Sequence, residues 1–135
     1  MRLGSLLFFL FLGACGGGGS DGTAVPLAQL SDIQQKIFSP SCAAFSACHS
    51  PSGKAGKCLL TAGNSYNSLV NHVASGNPAK MLVTPGHTES SFLLEKLRGE
   101  LGPDEGDPMP LNNPSLSDAQ IQAIADWIAQ GAPND

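Results

Sequence analysis

The chain has 135 residues, of which 41% are hydrophobic and 13% are charged, a size that fits one small domain and leaves no room for a second. Its net charge of −4 argues against nucleic acid as a partner, because a nucleic-acid-binding surface needs clustered Lys and Arg. What remains is a small unit with 16 glycines and 10 prolines, and a unit of this size buries little surface and often needs a covalent or cofactor staple.

The first residues are typical of an export signal rather than of a folded element. Arg2 supplies a positive start, and residues 3–12 form an apolar stretch that is too short to span a bilayer. The run Leu12-Gly13-Ala14-Cys15 resembles a bacterial lipobox, in which the cysteine is lipidated on its sulfur and becomes the mature N-terminus. The alternative is an ordinary signal peptide that is cut near Ala14, with Cys15 incidental.

The lipobox interpretation divides the chain into three parts. We expect a lipoprotein signal peptide over 1–14, a lipidated flexible tether over 15–30 and a folded domain over 31–135. Gly16 follows the cysteine where Asp would favour retention at the inner membrane. In the lipoproteins that this segment resembles, that favours a lipid anchor in the outer membrane.

Three further cysteines follow, Cys42, Cys48 and Cys58. An exported protein meets an oxidising compartment, so these are not expected to be idle thiols. Because their number is odd, at least one must be free, bonded to another chain, or bonded to a group other than a cysteine.

Apolar spacing predicts short helices joined by long loops, and no alternating strand pattern is visible. The last helix is the clearest, because Ser117 and Gln120 form a capping box and apolar residues follow at helical spacing. Residues 102–114 are too polar and broken for regular structure. The predicted class is all-α with extended loops. The predicted helices are one from Ser31 to Pro40, one over 66–73, one over 89–98 that ends at Gly99, and one that begins after Ser117 and ends at Gly131.

The chemistry of the chain is concentrated directly after the first helix, at Cys42, Cys48 and His49. A Cys-x-x-Cys-His run attaches a c-type haem through two thioethers and ligates its iron through the histidine. Here five residues separate the cysteines, which on an ideal helix would lie ~9 Å apart along the axis. Both reach one porphyrin only if residues 43–47 bulge outward as a loop.

A set of short runs follows in a fixed order along residues 31–133. This ordered set resembles the cytochrome c-like domain family, and most closely the small lipoprotein versions found in myxobacteria. The chain departs from the family in its widened Cys-x5-Cys-His motif. The runs are Ile37-Phe38-Ser39-Pro40-Ser41-Cys42, Cys48-His49-Ser50, Val83-Thr84-Pro85-Gly86, Ser90-Ser91-Phe92-Leu93, Met109-Pro110, Leu116-Ser117 and Trp127-Ile128-Ala129-Gln130-Gly131-Ala132.

The resemblance implies a cytochrome c-like, small helical domain with one covalently attached haem c. It makes Cys42 and Cys48 the attachment residues, His49 the proximal iron ligand and Met109 the distal ligand. A soft thioether suits iron in an electron-transfer site, and the prolines on both sides of Met109 fix its backbone. The alternative for Met109 is a loop methionine that fills the core.

Four other residues need an assignment. His72 and His87 are the alternative iron ligands if Met109 is not one, although both are expected at the surface. Met81 is expected in the core. Trp127 is expected to pack in the core, and the resemblance implies that it lies near the haem edge.

The expected function is that of a monohaem electron carrier that is lipid-anchored at the periplasmic face of the envelope. Its expected partner is a redox protein with basic residues around its own redox centre. Cys58 has no place in the motif. It either stays buried and reduced or forms a disulfide to Cys42 or Cys48, which would leave one thioether or none. The alternative is therefore a haem-less, disulfide-stapled lipoprotein that acts as a binding or structural module. An enzyme is not expected, because the carboxylates are scattered and Cys48 and His49 are sequence neighbours.

Overall fold

The computed structural model describes residues 28–53, 55–112 and 114–135. The predicted signal peptide, Cys15 and the tether as far as residue 27 lie outside the described residues. In the described part, no helix has the length and apolar character that crossing a membrane requires. The elements are α1 (Leu30–Ile33), which continues as a π-helix (Gln34–Cys42), a 3-10 turn (Ala55–Lys57), α2 (Ser65–Leu69), β1 (Val73–Ala74), β2 (Asn77–Met81), a second 3-10 turn (Thr88–Ser90), α3 (Phe92–Arg98) and α4 (Asp118–Ala129).

The expectation of an all-α, cytochrome c-like helical domain is wrong, because β1 and β2 form a two-stranded antiparallel sheet. Val73 pairs with Met81, and Ala74 pairs with Asn77 across a two-residue turn. Every residue of β2 is half-buried or exposed, so the sequence of this strand lacks the alternation of apolar and polar residues that predicts a strand. The Ser-Gly dipeptide of the turn was the available sequence signal. The domain is a small mixed one.

The first helix differs from its prediction at both ends. It begins at Leu30 and passes through Pro40 to end at Cys42. The chain tolerates the proline because the helix widens there into π turns, and its last such bond runs from the Ala43 N–H to the Phe38 carbonyl at 2.9 Å. The π-helix ends at Cys42, the first cysteine of the motif, and Cys42 lines a cavity in the surface of the domain.

The middle helix is shorter than predicted. α2 ends at Leu69 rather than at residue 73, because Asn71 adopts a positive φ of 57° and turns the chain into the hairpin. Val70 then forms a parallel bridge with Val83 instead of a further helical turn.

The two C-terminal helices end as predicted, but α3 begins at Phe92 rather than at residue 89, because Thr88–Ser90 form a separate 3-10 turn. The Ser117 side chain accepts from the Gln120 N–H at 3.3 Å, and the Gln120 side chain accepts from the Ser117 N–H at 2.9 Å, which confirms the capping box. α3 ends at Gly99, whose φ of 75° is the left-handed conformation that favours glycine at a helix C-terminus. The predicted absence of regular structure over 102–114 is confirmed for the described residues of that range.

One apolar cluster joins α1, the π-helix, α3 and α4 and forms the core of the described domain. Trp127 is fully buried, and its indole N–H donates to the Pro133 carbonyl at 2.8 Å, so the expected core position is confirmed. Met81 is 40% exposed, so its expected core position is wrong. The main core residues are Leu30, Ile33, Ile37, Phe38, Leu94, Leu97, Ile124, Trp127 and Ile128.

Candidate cofactor-binding site

A cavity of about 290 Å³ opens between the end of the π-helix, the turn of the hairpin, α3 and the loop that follows α3. Its walls are mostly apolar, and leucines from five segments contribute to them. The cavity gathers every residue predicted to hold the cofactor in the folded domain, together with the third cysteine. These residues are Cys42, Cys48, His49, Cys58 and Met109.

The insert between the two motif cysteines turns outward. Residues 43–47 leave the helical path, and residues 44–47 are exposed to solvent. The His49 N–H donates to the Cys42 carbonyl at 3.1 Å, which closes the loop at its base. Inside it, the Cys48 N–H donates to the Phe45 carbonyl at 3.0 Å. Both cysteines therefore reach one cavity despite the five residues between them.

Ser50 and Gly53 stabilise this loop through a side-chain hydrogen bond and a close backbone contact. The Ser50 hydroxyl donates to the Ser46 carbonyl at 3.1 Å and accepts from the Gly53 N–H at 3.3 Å. A Cβ on Gly53 would lie 2.4 Å from the Cys48 carbonyl oxygen and 2.5 Å from that of Ser46. A glycine is therefore required at position 53 by close backbone approach, a constraint that the sequence analysis missed.

His49 is held by a backbone acceptor. Its Nδ1 atom lies 3.1 Å from the Cys58 carbonyl oxygen, and its own carbonyl accepts from the Leu60 N–H at 2.9 Å. A carbonyl can only accept, so the hydrogen-bond network assigns the proton to Nδ1. This leaves the lone pair of Nε2 available for a metal. Metal-ligating histidines are usually oriented by such a second hydrogen bond.

The three cysteines are free thiols, and two of them are buried enough to stay protonated at neutral pH. Burial, and then the neighbouring charge of Cys48, raise the pKa of Cys42 to about 11. Burial, and then the charge of Cys42, raise the pKa of Cys58 to about 12. At neutral pH these values leave both sulfurs almost entirely protonated, whereas a catalytic cysteine acts as the thiolate. Cys58 lines the same cavity as the two motif cysteines.

Met109 enters the cavity from a loop without regular structure. It is half-buried against the core, and its N–H donates to the Lys96 carbonyl at 2.8 Å. The other candidate ligands lie elsewhere. His72 and His87 are exposed and do not line the cavity, and His87 faces Glu89 with its Nδ1 atom 3.2 Å from the Oε1 atom. Trp127 does not line the cavity either.

A charged cluster, missed by the sequence analysis, borders the cavity where Lys96 and Glu105 line it. The Oε1 atom of Glu105 accepts from the Lys80 ammonium at 2.8 Å and from the Asn77 amide at 2.7 Å. Its Oε2 atom accepts from the Gly102 N–H at 2.8 Å. The bond from Lys80, followed by those from Gly102 and Asn77, lowers the pKa of Glu105 to about 2. No sequence spacing links these residues.

Comparison of the chain with protein-family models, with curated proteins and with solved structures finds no match. Among the described residues, no group of three or more His, Cys, Asp or Glu side chains is arranged to hold a metal ion. What the cavity does combine is one imidazole, one thioether and three thiols.

Proposed function

We propose that this chain is a c-type haem-binding electron-transfer lipoprotein of the bacterial envelope. One haem would be attached through Cys42 and Cys48, with His49 and Met109 as the axial ligands of its iron. The observation that carries the proposal is the convergence of two segments far apart in sequence, residues 42–49 and Met109, on one largely apolar cavity.

The donor set fits this group. An imidazole and a thioether are a pair of axial ligands that a haem iron takes in electron-transfer proteins. The free thiols of Cys42 and Cys48 would each form a thioether to a haem vinyl group, with the sulfur bonding to one vinyl carbon and the thiol hydrogen ending on the other. When bound, haem supplies an iron that alternates between the ferrous and ferric states.

The chain's own residues supply position and environment. The hydrogen bond from the His49 ring to the Cys58 carbonyl sets the orientation of the imidazole. Leucines of α3, together with Leu60 and Leu82, line the cavity with apolar surface, which lowers its local dielectric. The net charge of −4 suits docking to a partner protein that carries basic residues around its own redox centre.

The lipobox supports a lipid anchor at Cys15, and the Gly-rich run after it suits a tether. An outer-membrane anchor would hold the domain at the periplasmic face. Several acyl chains make such an anchor firm, because one chain alone binds a bilayer only marginally.

A second candidate function is a haem-less, disulfide-stapled module, and the position of Cys58 favours it. Cys58 lines the same cavity as both motif cysteines, and all three are free thiols. A disulfide from Cys58 to Cys42 or Cys48 would consume a thiol that the haem needs.

Mass spectrometry of the mature protein separates the two functions. The chain is produced in a periplasm with the cytochrome c maturation machinery and then denatured in acid and organic solvent. We expect one haem mass per chain, retained in Cys58→Ser and lost when Cys42 and Cys48 are both changed to Ser. A chain without haem, with Cys58 in a disulfide, would refute the electron-transfer proposal and establish the module.

A further inference from the structure

The loop that carries Met109 has no helix or strand to hold it. Residues 99–112 follow α3 and contain only turns, bends and irregular backbone. A side chain on such a segment is presented to a cavity at a defined place only if other contacts secure the loop. Those contacts are therefore part of the site even where they do not touch Met109.

Glu105 ties the middle of this loop to the hairpin. Its side chain is only 10% exposed, and its two carboxylate oxygens point in different directions. One oxygen accepts from Lys80 and Asn77 of β2, and the other accepts from the N–H of Gly102 within the loop. A single carboxylate thus joins β2 to the loop that carries Met109.

Lys96 connects the same part of the loop to Met109. The Lys96 ammonium donates to the carbonyl of Glu105 at 2.9 Å and to that of Asp107 at 2.6 Å. The backbone carbonyl of Lys96 accepts from the Met109 N–H at 2.8 Å. One residue of α3 therefore holds the loop at Glu105, at Asp107 and at Met109 itself.

We propose that Glu105 is a positioning residue that keeps Met109 at the cavity by anchoring the 99–112 loop to β2. The inference rests on the proposed function, in which Met109 is the distal ligand. Glu105 acts through the loop, since its bonds go to Lys80, Asn77 and Gly102 and none goes to Met109.

The substitution Glu105→Gln tests this role with little change in size. An amide has one acceptor oxygen and an NH₂ group that only donates, so it cannot accept on both sides as the carboxylate does. Whichever way it turns, its NH₂ group faces either the Lys80 ammonium or the Gly102 N–H. Glu95→Gln is the matched control, because the Glu95 carboxylate also pairs with Lys80 but makes no side-chain bond to the loop.

The first measurement is hydrogen exchange of the haem-free chain, resolved at the Met109 amide. We expect exchange about tenfold faster in Glu105→Gln, the order of change that follows loss of a hydrogen bond to a charged group. Exchange in Glu95→Gln should match the unchanged chain, and the buried amides of α4 should be unaffected in both. An unchanged Met109 amide in Glu105→Gln would overturn the proposal.

The second measurement uses the haem-loaded protein at neutral pH. We expect the weak far-red sulfur-to-iron charge-transfer band to be reduced in Glu105→Gln and retained in Glu95→Gln. Retention of the full band in both variants would refute the positioning role while leaving the proposed function standing. Faster exchange in a chain that never takes up haem would instead leave the anchoring by Glu105 standing and refute the proposed function.

Discussion

The Nδ1 atom of His49 lies 3.1 Å from the backbone carbonyl oxygen of Cys58. This hydrogen bond places the ring proton on Nδ1. The lone pair of Nε2 is then free to coordinate a metal, and the imidazole lines the cavity. Because the acceptor is a backbone atom, this orientation does not depend on the Cys58 thiol. The backbone of Cys58 therefore orients the His49 ring, while its side chain places a third thiol in the cavity beside the motif cysteines.

Replacing His49 by Ala removes the proposed proximal ligand without touching the thiols. We expect the haem to stay covalently attached but to become high-spin or weakly held, which an optical spectrum of the ferric protein reports. His72→Ala and His87→Ala are the controls, since both side chains are exposed and outside the cavity. A normal low-spin spectrum in His49→Ala would contradict the assignment.

The distal ligand is tested by Met109→Ala. We expect loss of the far-red charge-transfer band and a lower reduction potential, because water or a histidine would replace the thioether. Met81→Ala is the matched control, as Met81 is 40% exposed and does not line the cavity. If His72→Ala or His87→Ala changes the spectrum while Met109→Ala does not, the site is bis-histidine.

Gly53→Ala should disturb the loop that carries Cys48. The added Cβ would lie 2.4 Å from the Cys48 carbonyl oxygen, so the backbone must move. We expect a loss of about 1–3 kcal/mol in the free energy of unfolding, typical of overpacking, and a lower yield of attached haem. Denaturant unfolding measures the first and mass spectrometry the second. Gly76→Ala is the control because its Cβ would meet nothing within 4 Å, and equal effects of the two substitutions would rule out the steric argument.

The Glu105 carboxylate should make stability fall with acid. Its pKa is lowered in the folded chain from 4.5 to about 2, so its contribution is complete above about pH 4.5 and is lost as the pH falls toward 2. Lys80 and Lys96 stay charged across this window. Chemical unfolding measured from pH 5 to pH 2 should therefore show a shallower decline in Glu105→Gln. The same slope in both proteins would contradict the prediction.

The lipid anchor is tested by Cys15→Ser. We expect the variant to lose lipid incorporation and to leave the membrane fraction after a high-salt wash, because the acyl chains that hold the protein to the bilayer would be absent. Cys58→Ser serves as a control for the loss of a cysteine elsewhere. A Cys15→Ser protein that still fractionates with the membrane would show that the lipobox interpretation is wrong.

Features encoded in a few neighbouring residues were predictable from the sequence. The capping box of α4 needs only Ser117 and Gln120, and the end of α3 needs only Gly99. The Cys48-His49 pair marked the centre of the candidate site in the same way. In each case the physical determinant, a cap, a left-handed residue or a motif, lies within one or two turns of chain.

Features that depend on distant segments were decided by the tertiary structure. Pro40 was expected to end the first helix, but the chain continues through it because π turns extend the helix as far as Cys42. The hairpin is specified by backbone pairing and a turn, with no buried alternating face to reveal it. Gly53 is required because backbone from Ser46–Cys48 passes close to it, and close approach leaves no trace in a local pattern. Met109, Cys58 and Glu105 reach the cavity through hydrogen bonds and packing across the fold, and these contacts exist only once α3 and the hairpin have come together.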